Sequence, residues 1–318
     1  MTSFGLSLGC ALLAFSPTLT LLLLFAYSKA QLVIIVTTSS FAQLLACLLS
    51  ALLHLPFKGL SLGAQSVFVV IPTSILSQAF CRCGFVFLYH KVESVIESSI
   101  SHHERRERRQ NQRQNSSSEN HNANGEQDQL SETEQLRLEL NDASAGLAAG
   151  VGFGFFHTVM LYGTLLASEN SRLGTLYQES CTFMPSVFNS AIMAFFFGIL
   201  DIVWMLMTFY GMRRFPLFSF WRDDANASAS TSGPTILSSA GGMDGKWALI
   251  LVVLTHFAAS FATVPNQLMA VNGCVVALPS LAIVAIGTVV MFWILFKPHF
   301  LPENQQLRIR HANRLHMD

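Results

Sequence analysis

The sequence predicts an all-α membrane protein, a bundle of seven transmembrane helices with its N-terminus lumenal or extracellular and its C-terminus cytosolic. Three observations predict it. Of 318 residues, 51% are hydrophobic and only 12% charged, where an average soluble domain carries about 25% charged residues. Mean hydropathy is +0.44. Seven apolar runs each reach the roughly 20 residues that cross a hydrocarbon core about 30 Å thick, and sixteen of the nineteen Lys and Arg residues fall on one side of them.

The runs lie at roughly 3–27, 31–55, 65–90, 145–168, 184–211, 246–264 and 274–296, each long enough to span. No basic segment precedes the first, and it is longer than a signal-peptide core, so it reads as a span. Gly9, Ser16 and Pro17 within it are tolerated in membrane helices. With the N-terminus outside, the cytosolic connections hold Lys29, the arginine cluster 105–113 with Lys91 and Arg137, the group Arg213, Arg214, Arg222 and Lys246, and finally Lys297, Arg308, Arg310 and Arg314. The other side holds Lys58 and Arg172, while Arg82 lies inside the third span. Positive charge is retained on the cytosolic side, which fixes the orientation.

Residues 1–91 thus carry spans one to three, 143–220 spans four and five, 246–296 spans six and seven, and 297–318 a cytosolic tail. Segment 92–142 is rich in Arg, Glu, Gln, Asn and Ser and reads as a disordered cytosolic linker. Segment 221–245, rich in Ala, Ser and Gly, reads as a second flexible one. The sequons at Asn115 and Asn226 fall in these cytosolic segments and are expected to stay unglycosylated. Net charge is zero, so no basic field points to nucleic acid. Six cysteines without paired spacing (Cys10, Cys47, Cys81, Cys83, Cys181 and Cys274) read as buried free thiols. Cys181 and Cys274 flank segments on one side of the membrane, which leaves a bridge between them open.

Ionisable side chains inside a span are costly and therefore candidates for function. Here they are Arg82, His157, Asp201 and His256. A pair of carboxylates sharing one proton, as an intramembrane aspartyl protease requires, is missing, since Asp201 stands alone. The H-E-x-x-H motif of a metalloprotease is absent as well. A seven-span transporter or channel with a polar path through His157, Asp201 and His256 stays open, although no internal repeat supports it.

Gly146, Gly150 and Gly154 recur every fourth residue, so they share one helical face along which a second helix approaches backbone to backbone. Gly152 widens the smooth region. The neighbour is either a helix of the same chain or one from a partner subunit. His157, three residues beyond Gly154, reads as a polar residue satisfied within the bundle. Arg82 either snorkels toward the cytosol or pairs with Gln78 one turn earlier.

The tandem glycines opening the fourth span and the histidine of Leu254-Thr-His256-Phe resemble the anterior-pharynx-defective (Aph) family, the multi-span scaffold subunit of γ-secretase. Gly9-Cys10 with Ala14-Phe15-Ser16-Pro17, Gln78-x-x-x-Arg82 and the basic Arg213-Arg214 are similar to family patterns at three further places. The resemblance implies a non-catalytic subunit without cofactor. Its partners would be a presenilin-like aspartyl protease subunit, a nicastrin-like glycoprotein and a small presenilin-enhancer subunit. The complex would cleave type I membrane proteins, as in Notch signalling, in the endoplasmic reticulum and Golgi and onward to plasma membrane or endosomes. Gly146, Gly150 and Gly154 take the assembly role of the family's glycine motif. The family also places a histidine in the fifth span. Alignment on Trp204 puts Asp201 there, whereas alignment on Arg213-Arg214 puts Leu200 there. If it is Asp201, a pair between Asp201 and His256 is expected.

Overall fold

The computed structural model describes residues 4–56, 66–115, 142–170, 177–178, 180–214, 245–268 and 272–300. Among the described residues, seven helices are long and apolar enough to cross a membrane: Gly5–Ala26, Ala30–His54, Val69–Ile96, Ala143–Ser168, Ser186–Arg213, Gly245–Ala262 and Gly273–Leu295. They agree in number and place with the seven apolar runs. The first and fourth each include one widened turn of π-helix, at Leu22–Ala26 and Val159–Gly163. The second of these follows directly on His157 and Thr158.

The fifth span is the axis of the bundle. It packs against the first, third, fourth, sixth and seventh, and 67% of its apolar window is buried. The fourth span fills the gap between the fifth, second and first. One apolar cluster joins Leu32, Val36, Val86, Phe153, Met205 and Phe209 from spans two to five. Another joins Leu200, Trp204, Val252 and Leu281 from spans five, six and seven. Outward-facing Leu24, Phe80, Ile283 and Ile294 are exposed, as the lipid-facing side of a membrane bundle requires.

Two features depart from the sequence reading. The helix of the third span does not end at the membrane; it runs over Ser66–Asn115, through the first half of the segment expected to be a disordered linker. Residues 116–141 of that linker lie outside the described residues, as do 215–244, which hold Asn226 and nearly all of the second linker. Glu, Arg and Gln are good helix formers. A helix already formed in the membrane needs no new nucleus to continue through them.

The second departure is a short hairpin between spans four and five. Strand β1 (Tyr177–Gln178) pairs antiparallel with β2 (Cys181–Pro185). Cys181 at its tip is disulfide-bonded to Cys274, 93 residues later at the start of the seventh span. The reading of all six cysteines as free thiols is therefore corrected: Cys10, Cys47, Cys81 and Cys83 are not disulfide-bonded, whereas Cys181 and Cys274 are brought together by the hairpin. The Ser180 hydroxyl donates to the Asn266 carbonyl at 2.6 Å. Gly273 lies so close to the Pro265 carbonyl that a Cβ would strike it. The hairpin, the 265–268 turn and the seventh span form one cap at this end of the bundle.

Candidate functional site

The intramembrane polar residues form one cluster drawn from four helices. Arg82 of the third span is wholly buried and directs Nη2 at Asp201 Oδ1 of the fifth in an ion pair. The other carboxylate oxygen, Oδ2, receives His157 Nδ1 of the fourth span at 2.7 Å. Arg82 Nη1 lies 3.2 Å from His256 Nδ1 of the sixth span. The guanidinium has no acceptor, so His256 Nδ1 accepts, and its ring is the neutral tautomer with the proton on Nε2. The order of the chain is therefore His157 to Asp201, Asp201 to Arg82, and Arg82 to His256. The Arg82 and Asp201 charges offset one another within the bundle, which reduces the cost each alone would meet there.

Aromatic rings enclose this chain. The Trp204 ring stacks on His256 at 4.2 Å between centroids, and its indole N–H donates to Thr255 Oγ1 at 2.8 Å. The Arg82 guanidinium lies over the Trp204 ring at 5.1 Å and the Phe153 ring at 5.7 Å. Phe197 stands against His157, 5.4 Å away. These contacts follow from helical spacing: Phe197, Asp201 and Trp204 are three and four residues apart on one face, as are Phe153 and His157 on theirs. Both charges are matched, aromatic rings wall them in, and the cluster ties four helices together.

The geometry corrects three expectations. Asp201 and His256 are not paired; Arg82 stands between them and binds both. Arg82 does not snorkel, because its own helix is turned inward toward Asp201. Nor does it pair with Gln78, whose amide nitrogen reaches Ser74 Oγ at 3.4 Å and whose carbonyl oxygen is buried without a partner among the described residues. His157, read as a polar residue satisfied within the bundle, has the Asp201 carboxylate as its acceptor. Phe153, Trp204, Thr255 and Gln43 were missed. Gln43 of the second span is completely buried, and the only signal for it is a lone amide in an apolar run.

The glycines pack within the chain. A Cβ on Gly150 would stand 2.7 Å from the Ile202 Cα, and one on Gly154 3.0 Å from the Gly198 carbonyl, so both meet fifth-span backbone. Gly146 faces the side chains of Leu206 and Phe209. The face read as open to a same-chain helix or to a partner's helix is thus filled by this chain's fifth span. Gly152, on the opposite side, lies against Val36 and Ser39 of the second span, where the Ser40 hydroxyl donates to the Gly152 carbonyl at 3.0 Å. Both sides of the fourth helix are therefore closely seated.

Among the described residues, no nucleophile–base pair stands beside the cluster. Gly5-Leu6-Ser7-Leu8-Gly9 spells G-x-S-x-G, but it lies in regular helix and not in the strained strand-to-helix turn that exposes a nucleophile. The Ser7 carbonyl accepts the Tyr162 hydroxyl at 3.0 Å, and His157 and His256 are committed to the ionic chain.

A family model described as Aph-1 protein matches residues 6–297, every span of the bundle. The chain belongs to the Aph-1 family. Among curated proteins none matches it. Aph-1 proteins are the non-catalytic subunit family of γ-secretase, and membership supports a role for this Aph-1 chain as a component of that complex. It is an integral multi-pass membrane protein of seven apolar helices.

Proposed function

We propose that this chain is the scaffold of a presenilin-type intramembrane protease complex, holding its partners by helix packing and contributing no catalytic group. The carrying observation is the family match over residues 6–297. The ionic chain supports it, since its members are engaged in sequence from His157 through Asp201 and Arg82 to His256, and Asp201 lacks the second carboxylate that proteolysis needs. The partners are a presenilin-like aspartyl protease subunit, a nicastrin-like glycoprotein and a small presenilin-enhancer subunit. Substrates are type I membrane proteins. The complex assembles in the endoplasmic reticulum and Golgi and travels on to plasma membrane or endosomes.

The N-terminus is lumenal in this reading. The charge asymmetry supports that orientation, and so does the Cys181–Cys274 disulfide, which then lies in an oxidising compartment. An ion path through His157, Asp201 and His256 is disfavoured because these groups are enclosed by Phe153, Phe197 and Trp204. The test is affinity purification of the tagged chain in mild detergent with mass spectrometry of what accompanies it. Stoichiometric recovery of an aspartyl protease subunit and a single-span glycoprotein is expected. A chain that purifies alone and conducts ions or protons in liposomes sinks the proposal.

A further inference from the structure

The fourth and fifth spans are seated tightly at Gly150 and Gly154, where an added Cβ would strike fifth-span backbone. Beyond those contacts, toward the disulfide end, they leave a recess of about 350 Å³ between them, within the size range of ligand pockets. The widened turn Val159–Gly163 lies at its base. Leu161, Thr164, Leu165 and Ser168 line it from the fourth span, three and four residues apart and so on one helical face. The fifth span lines it with the same spacing, from Ser186 through Asn189 and Ser190 to Met193. Ser168 and Ser186 stand at the ends of their spans. Leu161 and Met193 lie seven residues further in, about 10 Å deeper. The outer half of the recess is therefore polar and its floor apolar, and exposed Thr164 marks its opening on the flank of the bundle.

The hydroxyls decide which head group fits. Thr164 donates its one proton to the Met160 carbonyl at 2.5 Å, and Ser190, buried at 8% exposure, donates its own to the Leu161 carbonyl at 3.2 Å. Each then has only oxygen lone pairs to offer a ligand. No lining residue is ionisable, so a phosphate or an ammonium group would meet no opposite charge. The matching head is an uncharged hydroxyl that donates. A sterol carries one such hydroxyl on a compact apolar body, whereas the ester carbonyls of a diacyl lipid find no donor at Thr164 or Ser190.

We propose that the recess between the fourth and fifth spans binds a sterol, its hydroxyl donating to the Ser190 oxygen beside Thr164 and its rings resting on Leu161, Leu165 and Met193. Neither the scaffold reading nor the orientation of the bundle enters this assignment.

The test uses the chain as it purifies with its partners, in phosphatidylcholine nanodiscs containing a photoreactive, alkyne-tagged cholesterol, followed by peptide mapping of the crosslinks. Crosslinks are expected on residues 161–168 and 186–193, displaced by unlabelled cholesterol. Its 3-ketone, which cannot donate, should displace them about 5-fold less well, the equivalent of one hydrogen bond. Leu165→Trp fills the recess and abolishes the crosslinks, whereas Leu45→Trp, on the exposed side of the second span, leaves them in place. Should Leu165→Trp not assemble, the comparison of sterol and ketone on the wild type decides alone. Crosslinks confined to other segments, equal displacement by the ketone, or crosslinks undiminished in an assembled Leu165→Trp overturn the proposal.

Discussion

Adding one methyl group at each glycine of the fourth span tests the packing argument most directly. At Gly150 the new Cβ stands 2.7 Å from the Ile202 Cα and 3.1 Å from its carbonyl oxygen. Comfortable carbon contact is about 3.8 Å, so the fourth and fifth helices must part by roughly 1 Å. Both obstacles are backbone and cannot turn aside. A gap of that size forfeits a quarter to a half of the dispersion energy along the seam, and overpacking of this kind costs about 1–3 kcal/mol. Gly150→Ala is accordingly expected at the upper end, roughly 2–3 kcal/mol, a 30- to 150-fold shift toward unfolding. At Gly146 the nearest atom is the Leu206 methyl at 3.1 Å, the free end of a flexible side chain, and the cost should stay below about 1 kcal/mol. Gly154, 3.0 Å from the Gly198 carbonyl and 3.1 Å from the Thr18 methyl, falls between them. Gly152, off the shared face of the other three, meets the Ser39 hydroxyl and the Val36 carbonyl more closely than any of them. It should be the least tolerant. The assay is unfolding of the purified chain in mixed micelles with increasing dodecyl sulfate. If Gly152→Ala unfolds like wild type while Gly146→Ala does not, the fourth span is not seated as described.

Further outcomes follow from the ionic chain, the disulfide and the orientation. Asp201→Ala leaves the Arg82 charge buried and uncompensated and should destabilise by about 3–5 kcal/mol, whereas Arg82→Met with Asp201→Leu costs less than either single change; a double-mutant cycle on the micelle unfolding curves reads the coupling. Cys181→Ser should lower the midpoint of the same curve and leave the buried Cys274 a thiol that labels with maleimide as the chain unfolds. For a loop of 93 residues the chain-entropy ceiling is about 4–5 kcal/mol, and the loss should be smaller because the bilayer already confines the loop. Asn115 and Asn226 should stay unglycosylated in microsomes while a sequon engineered into residues 171–176 is modified; the reverse pattern inverts the bundle.

The spans were legible because crossing a bilayer imposes one length and one composition on each helix. The glycine face and the four ionisable residues were legible for a related reason: lipid makes small residues useful and charges costly, so both stand out. Their partners were not. Arg82 and Asp201 are 119 residues apart, and no periodicity along the chain encodes which of five neighbouring helices the fifth span turns Asp201 toward. Scarcity of charge gathered the right residues but paired Asp201 with His256, because Arg82 was given either an outward course or Gln78, a neighbour on its own helix, as partner. The hairpin over 177–185 carries five residues in its longer strand, too few for an alternating pattern to show. The linker helix was missed because polarity alone was read as disorder, although a helix entering from the membrane extends at little cost.

The disulfide gives the bundle a sense of completion in time. Cys181 leaves the ribosome 93 residues before Cys274, an interval of roughly 5–19 s at 5–20 residues per second. Throughout it the hairpin thiol waits while the fifth and sixth helices are made, and its partner arrives only at the threshold of the seventh. A closed bridge thus certifies that the last helix has been delivered to the right side. In the lumenal orientation proposed above, truncated or misthreaded chains keep an unbridged Cys181 thiol, a handle by which thiol–disulfide exchange tells unfinished copies from finished ones.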